Sequence, residues 1–249
     1  MASYADFYRR SIDDRDAFWA EQAQLIDWAT SPQTICDYSN PPFARWFADG
    51  TTNLCHNAVD RHLADRGDQR ALIFVSTETD QETVYTYRQL HAEVQRMAAA
   101  LQGLGVRKGD RVLIYMPMIA EACFAMLACA RIGAVHSVVF GGFASGSLAT
   151  RIDDAEPTVI VSADAGSRGG KPVPYKHLLD EAIKLAAHKP QAVLLVDRGL
   201  APMQLVEGRD HLWGALRECL LDAQVPCEWV EATHPSYTLY TSGTTGKPK

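Results

Sequence analysis

From Ala71 onward, short apolar runs alternate with stretches of helical period, and few folds accept that order. Residues 71–75, 112–116, 134–140, 158–162 and 192–197 are rich in aliphatic and aromatic side chains, as suits strands buried on both faces. Between them, residues 87–104 repeat apolar positions at Leu90, Val94, Met97, Ala98 and Leu101 and close at Gly105, where a helix can stop. Residues 119–132, ended by Gly133, and residues 148–154 and 175–187 read as further helices. The prediction is an α/β fold: a mainly parallel sheet flanked by helices.

Ahead of this series the pattern is looser. Residues up to about 42 read as an irregular lead holding one helix over 14–29, with Phe18, Leu25, Ile26 and Trp28 on one face and Asp13 or Asp14 as its cap. The aromatic segment 43–47 is expected to dock on a core surface, and a helix is expected from Asn53 to just before Gly67. Residues 1–65 thus form an N-terminal extension, and 66–249 the α/β unit.

A formal charge of −6 over 249 residues argues against nucleic acid or an anionic membrane surface as the main partner. The longest apolar stretch, 119–140, is interrupted by Glu121, Arg131, Gly133 and His136 and is not a membrane span. Six cysteines show neither a C-x-x-C pair nor metal-ligand spacing, and several read as buried thiols. No metal-ligating residue is assigned, and the N-terminus has no apolar signal core, so a cytoplasmic location is expected. His136, within an apolar strand, reads as a satisfied core histidine; Asp153, Asp154 and Asp164 read as caps or surface carboxylates, and Met116 and Met118 as packing residues.

Two stretches carry chemistry. A short predicted strand, 237–240, runs into Thr241-Ser242-Gly243-Thr244-Thr245-Gly246-Lys247. Glycines let backbone N–H groups turn toward an anion, hydroxyls add donors and Lys247 adds positive charge, which suits phosphate. It is not a Walker loop: only two residues separate Gly243 from Gly246, and Pro248 follows the lysine where Ser or Thr would reach magnesium. The second stretch is Arg168-Gly169-Gly170-Lys171, after a strand end where open α/β sheets bind ligands. On its residues alone, a solvated basic turn is the plainer reading.

Residues 240–249 resemble the signature of the acyl-adenylate-forming superfamily, which includes acyl-CoA synthetases, peptide-synthetase adenylation domains and luciferases. The run 128–143, ending Val138-Val139-Phe140-Gly141-Gly142-Phe143, is similar to the short-chain acyl-CoA synthetases, as are Phe18-Trp19 and the segment 42–47. Segments 52–61 and 194–200 look most like the propionate-activating members. The resemblance spans essentially the whole chain and implies the N-terminal part of the large domain of an adenylate-forming enzyme.

It also implies an activity: a carboxylate, propionate before acetate, attacks the α-phosphorus of ATP with Mg2+, and coenzyme A then takes the acyl group. Residues 241–247 would grip the β- and γ-phosphates, and Arg168, Gly169, Gly170 and Lys171 would bind the nucleotide end of coenzyme A. In that family the acid orienting magnesium, the acyl pocket and the mobile lid with its lysine lie beyond the position of Lys249, so no catalytic residue is assigned within the chain. The expected partners are small-molecule substrates and a C-terminal remainder, without which the chain should be inactive. The contrasting expectation is a noncatalytic α/β nucleotide-binding module, complete as it stands.

Overall fold

The computed structural model describes residues 3–241. At its centre are five parallel strands: β1 (Arg111–Met116), β2 (Val135–Phe140), β3 (Val159–Ala163), β4 (Ala192–Val196) and β5 (Asp210–Leu212), in the order β5-β4-β3-β1-β2. Alternation along each strand divides the core. Val112, Ile114 and Met116 face α1 (Tyr87–Gly103), α2 (Ala120–Arg131) and α5 (Trp213–Cys219), while Leu113 and Tyr115 face α3 (Ser145–Ala155) and α4 (Tyr175–Leu185). The predicted α/β architecture is the one observed.

The run 71–75 departs from expectation. It belongs to Arg70–Ser76, which pairs antiparallel with Gln81–Thr86 outside the parallel sheet. Thr86 then caps α1 reciprocally with Gln89, a capping box that sets the helix start. Gly105, at φ 100°, turns the chain out of the region of α1 as anticipated.

The lead is more ordered than predicted. Tyr4–Asp13 and Arg15–Ala23 are two helices, the first capped by Ser3 with Asp6, and Trp28–Thr30 is already a strand, so no helix spans 14–29. Asp14 does sit at the N-cap of the second helix, but its side chain makes no capping bond. Segment 43–47 docks only at its end: Phe43–Trp46 is an exposed strand, with Trp46 edge-on to Trp19, whereas Phe47 is half-buried with its ring 5.6 Å from that of Trp28. The helix expected from Asn53 breaks into Leu54–Ala58, a 3-10 turn at Asp60–His62, and Leu63–Arg66. The cause is tertiary: Asp60 leaves the helical path to accept two 2.9 Å bonds from Arg131 at the end of α2. Buried Asn53 fastens the same junction, donating to Ala130 O at 2.9 Å and Glu228 O at 2.7 Å.

Among the described residues, no helix is long and apolar enough to cross a membrane.

Candidate functional site

The strand order reverses between β1 and β3. The chain leaves β1 for α2 on one face and β3 for α4 on the other, which opens a crevice at their carboxyl ends. A cleft of about 460 Å³ lies there, lined by Met116 and Pro117 after β1, Gly141 and Gly142 after β2, Ser167, Arg168 and Tyr175 after β3, and Arg198 after β4. Tyr175 forms one wall. A methyl group at Gly141 would meet its hydroxyl at 2.1 Å and one at Gly166 at 2.7 Å, so both positions need glycine for close approach. Its ring lies 5.1 Å from Tyr115, whose hydroxyl donates to Phe143 O at 3.2 Å; burial pushes the Tyr115 phenol up to about 12 and keeps it a donor at neutral pH.

The basic stretch forms a hairpin, Gly166–Arg168 against Lys171–Val173, with Arg168 directly opposite Lys171. Gly169 and Gly170 are its two-residue turn, at φ 58° and 77°. A turn needing positive φ at both positions explains the glycine pair before any ligand is invoked. Cross-strand partners share a face, so two exposed cations stand side by side. Like charges opposite each other destabilise a hairpin, and an anion between them offsets that cost. Among the described residues, neither cation has an ion pair.

The hairpin is anchored by residues that gave no signal in the sequence. Glu78, in the turn of the antiparallel hairpin, accepts from Ser167 N at 2.8 Å and from Arg198 at 2.5 Å, while Arg198 also donates to Ala165 O at 3.0 Å. Glu78 and Arg198 are 120 positions apart, so spacing does not connect them. Another hollow, of about 470 Å³, adjoins Tyr85, Glu93 and Glu121. It suits an anion poorly: Glu93 already holds Arg96 and Arg217, and burial shifts Glu121 toward its neutral form without adding positive charge.

Thr241 is the last described residue of the phosphate-type loop, and Ser242, Gly243, Thr244, Thr245, Gly246 and Lys247 lie outside the described residues. The strand expected over 237–240 is only a parallel bridge from Tyr237 to His136, with Thr238 N donating to His136 O at 2.9 Å. It extends the β2 edge of the sheet, and Leu239 reaches the lining of the same cleft.

Three further expectations fail. Asp164 is 1% exposed and accepts from Leu200 N at 2.6 Å and Ala201 N at 3.2 Å, holding the turn after β4 from inside. His136 is not fully satisfied, because its Nδ1 is buried without a partner; burial lowers its pKa and favours the neutral ring. Met118 is 91% exposed at the cleft, whereas Met116 is buried as expected.

Comparison with known proteins fits this geometry. A family model described as AMP-binding enzyme matches residues 59–249, and one described as acetyl-coenzyme A synthetase N-terminus matches residues 4–58. The chain is 61% identical to a propionate–CoA ligase of Escherichia coli over 99% of its own length and 39% of that protein's. It is 48% identical to an acetyl-coenzyme A synthetase of Methylobacterium radiotolerans over 100% of its length and 39% of that protein's. Among solved structures, an acetoacetyl-CoA synthetase from Streptomyces lividans matches at TM-score 0.88 and 32% identity, over 100% of this chain and 38% of that one. The chain therefore spans about two-fifths of the length of the curated relatives it matches. With the family model covering 59–249, on a parallel sheet with its crevice at the strand ends, the chain belongs to the AMP-binding enzyme family.

Proposed function

We propose that the whole protein activates a short-chain carboxylate, propionate in preference to acetate, by forming an acyl-adenylate from ATP and passing the acyl group to coenzyme A. The observation that carries this reading is the 61% identity to a propionate–CoA ligase across 99% of the chain, against 48% to the acetyl-coenzyme A synthetase. In this reading residues 1–65 are an extension, 66–249 are the first part of the nucleotide-binding domain, and the acyl pocket lies outside this sequence.

The first half-reaction gathers a carboxylate and a triphosphate, so neutralising and positioning charge dominate it. Thr241, Ser242, Gly243, Thr244, Thr245, Gly246 and Lys247 hold the phosphates that leave as pyrophosphate. Magnesium carried by ATP would supply further neutralisation of charge on those oxygens. The switch-point cleft offers it no free acid: Glu78 is the one carboxylate lining it among the described residues, and both its oxygens are engaged. The second half-reaction uses the basic hairpin, where Arg168 and Lys171, displayed by Gly169 and Gly170, bind coenzyme A phosphates. A location in the cytoplasm follows from these substrates.

Given propionate, ATP, magnesium and coenzyme A, the whole protein should yield AMP, pyrophosphate and propionyl-CoA in equal amounts; ADP and phosphate as products would refute the reading. The coenzyme A assignment has its own test. Replacing Arg168 and Lys171 together with alanine should raise the KM for coenzyme A by roughly five- to thirtyfold, at about 1 kcal/mol per exposed phosphate contact. Pyrophosphate exchange without coenzyme A should stay near wild type. Loss of that exchange would place the hairpin in the ATP site instead.

A further inference from the structure

Behind the sheet, away from the cleft, the structure gathers two thiols that the proposed reaction does not use. Cys55 lies in the first turn of Leu54–Ala58, and Cys227 lies in the segment after α5. Their sulfurs and a carboxylate oxygen of Asp60 all lie within 4.8 Å of one another. The Arg131 guanidinium completes the group, donating to both Asp60 oxygens at 2.9 Å and reaching Cys55 Sγ at 3.6 Å. A metal ion fits this set badly, because a fixed cation already occupies both oxygens of the carboxylate.

The two thiols differ in a way that suits exchange chemistry. Cys55 is fully buried and Cys227 half-buried. The Cys55 thiol lies 3.9 Å from Asp60 Oδ2, and the contact between the two thiols raises that of Cys55 and lowers that of Cys227, with the Arg131 charge also lowering Cys227. A half-buried outer thiol within 4.8 Å of a fully buried inner one is the arrangement of an attacking and a resolving cysteine.

We propose that Cys55 and Cys227 form a reversible disulfide by exchange with a low-molecular-weight disulfide, covalently joining the N-terminal segment to the strap after α5. The Cys227 thiolate attacks one sulfur of the small disulfide and releases one small thiolate, leaving a mixed disulfide. Cys55 then attacks the Cys227 sulfur, the Sγ–Sγ bond forms, and the second small thiolate leaves. The protons of the two cysteines end on the two released thiols. The cysteine pair loses two electrons and the small disulfide gains them. The two sulfurs, within 4.8 Å of each other, must close to the roughly 2.0 Å of a disulfide.

The test is native incubation of the whole protein with oxidised glutathione, followed by intact mass and peptide mapping without reductant. The expected product is two hydrogens lighter, cross-linked from Cys55 to Cys227, and returned to the starting mass by dithiothreitol. Cys55→Ser should stop one step earlier, with one glutathione retained on Cys227, and Cys227→Ser should give neither product at this site. The wild-type cross-link is readable even where a serine variant folds poorly. An unreactive Cys227, glutathione persisting on Cys227 while Cys55 is present, a disulfide between two copies, or one equivalent of zinc shielding both thiols would each overturn the proposal.

Discussion

Arg131→Met is expected to lower the unfolding free energy by about 3 kcal/mol, the lower end of the range for breaking a buried ion pair. Arg131 is 3% exposed; it donates to both Asp60 oxygens at 2.9 Å and, through Nε, to Val225 O at 2.5 Å. Methionine fills much of the space but leaves the Asp60 charge with only His91, at 3.3 Å, as a possible counter-charge and the Cys55 thiol, at 3.9 Å, as a weak donor. The lower end applies because the Asp60 side chain retains 17% exposure and so some solvation. In a domain of this size the melting midpoint should fall by roughly 6–12 °C. Adding Asp60→Asn should recover part of the loss, since the stranded charge is then gone; a double variant less stable than Arg131→Met alone would contradict the account.

The pair also sets an acid limb. Burial alone would raise the Asp60 carboxyl, but bonds and charge from His91 and Arg131 prevail and hold it well below the usual carboxylate range. A carboxyl lowered on folding contributes stability above its unfolded value, about pH 4, and loses it as pH falls further. Wild type should therefore lose stability below about pH 4 more steeply than the Asp60→Asn, Arg131→Met double variant.

The second large effect falls on the reaction. Lys247→Ala in the whole protein should slow adenylate formation about a hundredfold, matching the roughly 2–4 kcal/mol attached to one charged contact made in the transition state. Coenzyme A affinity should barely change, because the basic hairpin, with Arg168 and Lys171, is a separate element. An unchanged rate of carboxylate-dependent pyrophosphate exchange would remove Lys247 from the phosphate role.

How much was legible depended on what held each element together. The strands β1, β3 and β4 read clearly because burial on both faces leaves nearly unbroken apolar runs such as Val193-Leu194-Leu195. Gln81–Thr86 was missed because its first half, Gln81, Glu82 and Thr83, is polar and exposed on both faces, and β5 because Asp210–Leu212 is only three residues long. The break at Val59 was invisible locally, since its cause is an arginine 71 positions beyond Asp60. The same holds at the cleft. Arg168-Gly169-Gly170-Lys171 is contiguous and could be read, whereas Glu78, Tyr175 and Arg198 converge only through the strand order.

The central claim is that this family member adenylates a short carboxylate, and isotopic ATP–pyrophosphate exchange by the whole protein tests it without coenzyme A. With propionate, acetate and butyrate supplied separately, the account predicts exchange that requires a carboxylate and has its highest kcat/KM with propionate. Exchange that proceeds equally with no acid, or is absent with all three, would contradict it.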